Sequence, residues 1–364
     1  MNFDLSDDQK MLADQAKKML EQYATPDRLR QLIDNNDDLD QPLWQALSEL
    51  GFLGANIPEA YGGLGLSAIE LAVVAQELGR ANAAVPFTSS IVLAAKAIEL
   101  GGSEEQKDHW LPQLASGEIT ACFGIAEGAG QPLAKLPSCR FDNGALTGTK
   151  TPVADASITQ LAVISCQTEA GLGLALVDLQ QDSVQLEALN SFDELRGHSS
   201  IRFNNTPAQL LTGDAQSCIS QVLHFGAVIT AFEQIGAAEA CLHMARDYAM
   251  ERQIFGRSLA SYQAIKHKLA QIYIHIETAR ANALYAAWAL SNQADDAFEA
   301  AATCRISALT ALENAARENL QVHGGIGYTF EADCHFYYRR ERTLATNIGS
   351  KSFWSQQLIR HLAA

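Results

Sequence analysis

The chain has 364 residues, 48% of them hydrophobic, enough to bury a large core and to make two or three domains the expectation. A formal net charge of -16 would repel a polyanion, which argues against nucleic acid as a partner. No run of 18 apolar residues appears, so no membrane span is expected, and the acidic start, Asp4-Leu5-Ser6-Asp7-Asp8, lacks the basic and apolar regions of a secretory signal.

From Asp7 to about Gly117, long helical patterns alternate with short breaks. Asp40 and Pro42 flank a helix start at Leu43 to Leu47, and Gly51 closes it. The turn-rich stretch Pro58-Glu59-Ala60-Tyr61-Gly62-Gly63-Leu64-Gly65 precedes an apolar helix over 68–78. From about Ile119 to Thr212 the period falls to two, as in Leu161 to Ser165 and Leu172 to Val177. Asn143-Gly144 predicts a hairpin between Cys139-Arg140-Phe141 and Leu146-Thr147-Gly148. Short strands separated by turns predict a small antiparallel barrel or sandwich.

From about Ser217 the chain is helical again. Val222, Phe225, Ile229, Phe232, Ile235, Ala238, Leu242 and Ala245 form one apolar stripe at steps of three and four. Segments 261–292, 296–322 and 347–362 predict three more helices and hence a four-helix bundle. The fold class is thus mainly α with a central β-barrel: an N-terminal helical domain (1–118), a middle β-barrel (119–214) and a C-terminal bundle (215–364). The order helices, strands, helices lacks the βαβ alternation of a doubly wound nucleotide fold.

Seven dispersed cysteines with no C-x-x-C pair read as reduced structural thiols of a cytoplasmic protein. The nine histidines show no metal-ligand spacing, so no metal is expected.

Two glycine clusters carry possible chemistry. Gln321-Val322-His323-Gly324-Gly325-Ile326-Gly327-Tyr328 follows a helix rather than a strand, the wrong context for a dinucleotide fingerprint. The glycine pair either ends a helix or lets a ligand approach bare backbone amides. In Glu251-Arg252-Gln253-Ile254-Phe255-Gly256-Arg257, the two arginines flank a helix end marked by Gly256. They either complement the helix dipole or grip a pyrophosphate.

Arg252-x-x-Phe255-Gly256, then Gln263, then the Gln321 to Tyr328 motif resemble the C-terminal signature of acyl-CoA dehydrogenases. Pro58-Glu59-x-Tyr61-Gly62-Gly63-x-Gly65 is similar to the family's N-terminal motif, and the resemblance covers nearly the whole chain. It implies an FAD cofactor lying between the β-barrel and the bundle. Residues matching Arg252, Phe255, Gln263, Gln321, Gly324 and Gly325 would reach the FAD of a neighbouring subunit, so a complete site needs at least a dimer. The implied reaction removes the α-proton of an acyl-CoA and passes the β-hydrogen to the flavin, with an electron-transfer flavoprotein as the usual acceptor.

The sequence departs from the family at the reacting centre. The usual glutamate of a tyrosine–glutamate–glycine step reads Ile348 in Asn347-Ile348-Gly349. The alternative home of the base, 26 residues before Arg252, is Gly226. Glu233, two helical turns after Gly226, is the candidate base; its other reading is a structural glutamate bonded to a facing helix or to the cofactor. Glu341 is a weaker candidate. The flavin-facing stretch around Ile125 and Ala126 reads Ala126-Glu127-Gly128-Ala129-Gly130-Gln131, without the family's threonine. A frequent tryptophan reads Pro152. Backbone amides at Ile125 and Ala126 remain as flavin contacts. Two functions follow: an acyl-CoA dehydrogenase with a relocated base, or a non-catalytic partner subunit that contributes to a neighbour's FAD site. The assembly is accordingly a homodimer or homotetramer, or a heterotetramer with a paralogous subunit.

Overall fold

Three serines open helices in the N-terminal third by one device. Ser6, Ser67 and Ser103 each cap the first turn, and Gln9, Glu70 and Gln106 reach back to the cap's backbone amide. The computed structural model describes residues 5–363 apart from 129–131 and 133–135. Helices α1 (Asp7–Tyr23), α2 (Pro26–Asn35), α3 (Gln41–Glu49), α4 (Ala68–Arg80), α5 (Lys96–Gly101) and α6 (Glu104–Ala115) come first. Between α4 and α5 lies a π-helical segment, Phe87–Ala95, in which all nine residues are buried.

The strands are β1 (Ala121–Gly124), β2 (Arg140–Asp142), β3 (Ala145–Ala154), β4 (Leu161–Thr168), β5 (Gly171–Asp178), β6 (Val184–Leu189), β7 (His198–Pro207) and β8 (Gln209–Leu210). They form one sheet in the order β6-β7-β3-β2-β4-β5-β8, with β1 running parallel on β4. Among the described residues, β6 and β8 do not pair, so the sheet does not close and the expected barrel is open. The β2–β3 turn is the one read from sequence: Asn143 (φ 47°) and Gly144 (φ 80°) both take positive φ, as a two-residue hairpin requires. Cys122, Leu146, Ile164, Ile201 and Phe203 fill the sheet's interior.

Helices α7 (Ala215–Glu251), α8 (Gln263–Ser291) and α9 (Ala297–His323) pack against one another, with α10 (Cys334–Leu344) and α11 (Lys351–Leu362) on α9. The stripe expected on α7 is replaced by burial all round: every residue from Phe225 to Ala238 is buried. The reason is that α4, α8, α9 and the π-helical segment all pack on α7. One core therefore joins the N-terminal helices to the bundle. α7 is long and apolar enough to cross a bilayer, but 89% of its most apolar window is buried in the protein.

Where α4 crosses α7, the backbones touch. A Cβ on Gly236 would lie 1.8 Å from Gln76 O, and one on Gly79 would lie 1.9 Å from Glu233 O. At the other end of α7 the sequence reading needs correction. The helix ends at Glu251. Gly256 instead occupies the turn of a short hairpin (Gln253–Ile254 with Arg257–Ser258), preceded by Phe255 at φ 47°.

Candidate functional site

A cleft of about 500 Å³ opens between the sheet, the π-helical segment and the turn after α10. Phe123, Ile125, Ala126, Pro152 and Ala154 form its sheet wall. Thr88, Ser89 and Leu93 come from the π-helical segment, and Thr343, Thr346, Asn347 and Ile348 from the α10 side. Ile125 and Ala126, expected at a flavin face, thus line the cleft. Part of the same loop, Ala129 to Gln131, lies outside the described residues. The backbone of Ala126 is partly engaged, since its carbonyl accepts from Thr151 N at 2.9 Å.

The two positions named as homes of a base meet at the wall of this cleft, which Leu93 and Ile348 line and Gly226 backs. A Cβ built on Gly226 would lie 3.8 Å from Ile348 Cδ1 and 2.6 Å from Leu93 Cδ2. Residues 122 apart in sequence thus converge on one spot, and the spot is apolar. Among the described lining residues there is no carboxylate. His198 is the one lining imidazole; its Nε2 lies 3.1 Å from Asn347 Oδ1.

Glu233 does not line the cleft. It is 5% exposed and stands behind Thr88 and Arg196, beside a void of about 10 Å³. Thr88 Oγ1 donates to Glu233 Oε2 at 3.0 Å. Two guanidinium groups flank the other oxygen, Arg340 Nη1 at 3.7 Å and Arg196 Nη1 at 3.9 Å. Arg196 also forms a two-pronged pair with Asp155 (3.2 and 2.9 Å), and Arg340 pairs with Asp193 at 2.5 Å. Five buried charges therefore form one cluster, in which the nearby carboxylates raise the Arg196 pKa further despite its burial.

Two other acidic groups nearby are occupied. Glu127 accepts from Lys150 Nζ at 2.6 Å and from the Ser138 and Cys139 amides. Burial pushes its carboxyl up, but these bonds outweigh it and hold it down at about 2. Glu341 is buried and pairs with Arg342, and burial raises its carboxyl in spite of that partner.

The remaining candidates lie elsewhere. Arg252, Phe255, Gln263, Gln321 and Gly325 are exposed and Gly324 half-buried, where the ends of α7 and α9 meet the start of α8. None of them lines the cleft. A Cβ on Gly256, Gly324 or Gly325 would meet nothing within 4 Å, so the backbone there is open. The two arginines differ: Arg257 stacks 3.9 Å over the Tyr262 ring, whereas Arg252 has no ion pair among the described residues. Phe255 is 95% exposed, and Met250, five residues before it, is exposed as well.

Sequence reasoning missed Thr88, Ser89, Arg196, His198 and Asn347. A trace was visible in Thr88-Ser89-Ser90, three hydroxyl residues inside an apolar run. Nothing local ties Arg196 to Asp155.

Residues 6–118 match the model of the acyl-CoA dehydrogenase N-terminal domain, and 216–362 that of the C-terminal domain. The chain is 27% identical over 385 residues to the probable acyl-CoA dehydrogenase YngJ of Bacillus subtilis, covering 100% of both. It is 29% identical to the acyl-CoA dehydrogenase IpdE2 of Mycobacterium tuberculosis, covering 92% of this chain and 91% of that one. Among solved structures it resembles the Tcur3481–Tcur3483 steroid ACAD (TM-score 0.90, 29% identity, 98% of each chain). It also resembles the ChsE4–ChsE5 complex of Mycobacterium tuberculosis (TM-score 0.92, 26% identity, 100% and 99%). With both terminal domains matched and relatives aligned end to end, this chain belongs to the acyl-CoA dehydrogenase family.

Proposed function

We propose that this chain works in the FAD-dependent α,β-dehydrogenation of an acyl-CoA thioester as one subunit of a heteromeric enzyme, whose paralogous partner provides the base. The observation that carries this reading is the meeting of Gly226, Leu93 and Ile348. Both positions from which the family resemblance would draw a carboxylate face each other here, and neither can accept a proton. The names of two similar structures, both complexes of unlike chains, point the same way.

The bundle end suits a role towards a neighbour. Arg252 and Gln263 offer free donors for a pyrophosphate, and the bare backbone at Gly324 and Gly325 lets a phosphorylated ligand approach closely. Gln321 stands one turn before them. These residues would hold the adenosine–pyrophosphate half of an FAD whose ring lies in the neighbouring subunit. When bound, FAD supplies the two-electron oxidant of the reaction. Phe255 would then be covered by that neighbour. The seven free, buried cysteines suit a reducing, cytoplasmic setting, and electrons would leave to an electron-transfer flavoprotein.

The test is the visible spectrum of the chain purified alone and with its paralogue, before and after anaerobic addition of acyl-CoAs. The expected result is flavin that bleaches only in the mixed assembly. A yellow homo-oligomer that acyl-CoA bleaches would overturn the subunit reading.

A second reading keeps the base in this chain. Glu233 is one hydroxyl away from the cleft, through Thr88, so a proton relay has a path. Flavin reduction at the wild-type rate in Glu233→Gln would sink it.

A further inference from the structure

The cleft ends in a polar pocket that removal of two hydrogens from an acyl chain does not require. Thr88 and Ser89 are 6% and 3% exposed and stand near the start of the π-helical segment. Leu93, at the apolar meeting point of Gly226 and Ile348, lies about one turn further along. Glu233, which anchors Thr88, follows Gly226 by seven residues on α7, roughly 10 Å along the helix axis. The polar groups therefore stand about one helical turn from the spot where a base would sit.

The partners present satisfy only part of these groups. Thr88 Oγ1 directs its hydrogen to Glu233 Oε2 at 3.0 Å. Ser89 Oγ directs its hydrogen to Asp155, with Pro86 O also 3.2 Å away. A hydroxyl has one hydrogen and two lone pairs, so both oxygens keep an accepting side. Arg196 is 4% exposed and lines the same cleft. Its Nε and Nη2 serve Asp155, but Nη1 makes no hydrogen bond among the described residues and stays 3.9 Å from Glu233. Two acceptors and a charged donor thus border one gap. Asp155 and Glu233 already balance the guanidinium, which removes the pull on an anion.

We propose that this end of the cleft binds a neutral oxygen function, a hydroxyl or carbonyl, on the distal part of an acyl chain. Such a group accepts from Arg196 Nη1, and a hydroxyl also donates to Ser89 or Thr88. A plain alkyl end leaves these buried groups unpaired, the situation in which a polar site rejects an apolar analogue most strongly. The inference goes beyond the subunit reading. It concerns which acyl group this cleft accepts, whether or not reaction occurs there.

The experiment is calorimetric titration of the native oligomer with a medium-chain acyl-CoA and with the same chain bearing a terminal hydroxyl. The hydroxylated compound is expected to bind about tenfold more tightly or better. Ser89→Ala is expected to cut that preference to about threefold or less, while Thr88→Ser, which keeps the hydroxyl, retains it. Equal affinities in the wild type, binding of neither compound, or a preference that survives Ser89→Ala overturns the proposal. The visible spectrum in the same titration separates two supporting outcomes. Bleaching marks the hydroxylated acyl group as substrate, and binding without bleaching marks it as ligand of a non-reacting cleft.

Discussion

Glu233 shows how far a residue's chemistry depends on what stands around it. On a helical wheel it follows Gly226 on one face, which makes a relocated base plausible. In the fold, Arg340 and Arg196 flank one oxygen and Thr88 occupies the other. Neutralising Glu233 leaves Arg196 on Asp155 and Arg340 on Asp193, but it removes the charge that both guanidinium groups and Thr88 face, at about 1–3 kcal/mol. Glu233→Gln is therefore expected to lower the denaturation midpoint while leaving flavin reduction by the mixed assembly at its wild-type rate, read by chemical unfolding and stopped-flow absorbance. Glu127 is the contrasting case. Held at about 2, below the usual carboxylate range, it stabilises the fold above that range and loses the contribution as pH falls towards 2. It is an anchor for the chain around Ser138, not a proton carrier.

At the scale of elements, the crossing of α4 and α7 fixes the cleft. Gly79 and Gly236 let the backbones touch, and the same α7 carries Gly226 and Glu233 to the π-helical segment. Gly236→Ala sets a methyl group 1.8 Å from Gln76 O, with backbone rather than a flexible side chain in the way. The helices must separate, at about 3 kcal/mol or more. Thermal unfolding is expected to show a midpoint several degrees lower, and acyl-CoA affinity is expected to fall with it because Thr88 moves with its partner. An unchanged midpoint would mean that the crossing relaxes freely. The π-helical segment itself was legible only as a buried apolar run; its i→i+5 winding has no sequence period that separates it from an α-helix.

At the scale of the whole molecule, the cleft against the sheet and the exposed bundle end at Arg252 and Phe255 share no lining residue. Phe255 joins positive φ to 95% exposure, two costs that isolation does not repay. Phe255→Ser is expected to leave folding of the subunit nearly unchanged, because the ring touches little of its own chain. Association with the partner is expected to weaken by about 2 kcal/mol, with flavin lost on dilution, measured by analytical ultracentrifugation and absorbance. Full flavin retention in that variant would place the interface elsewhere.

The sequence alone determined what depends on neighbours along the chain. Caps at Ser67 and Ser103, the Asn143-Gly144 hairpin, the strand periods and the order helices, strands, helices are all local physics, and the spaced motifs were enough to point to the family. Tertiary structure decided the rest. It showed that Ile348 and Gly226 share one apolar spot, that Glu233 lies behind Thr88 in an ion cluster, and that the sheet stays open among the described residues. It also moved Gly256 from a helix end to a hairpin turn. The hairpin at Gly256 is local, but the other three follow from packing between segments tens to more than a hundred residues apart, and no period or motif along the chain encodes which side chain then reaches which.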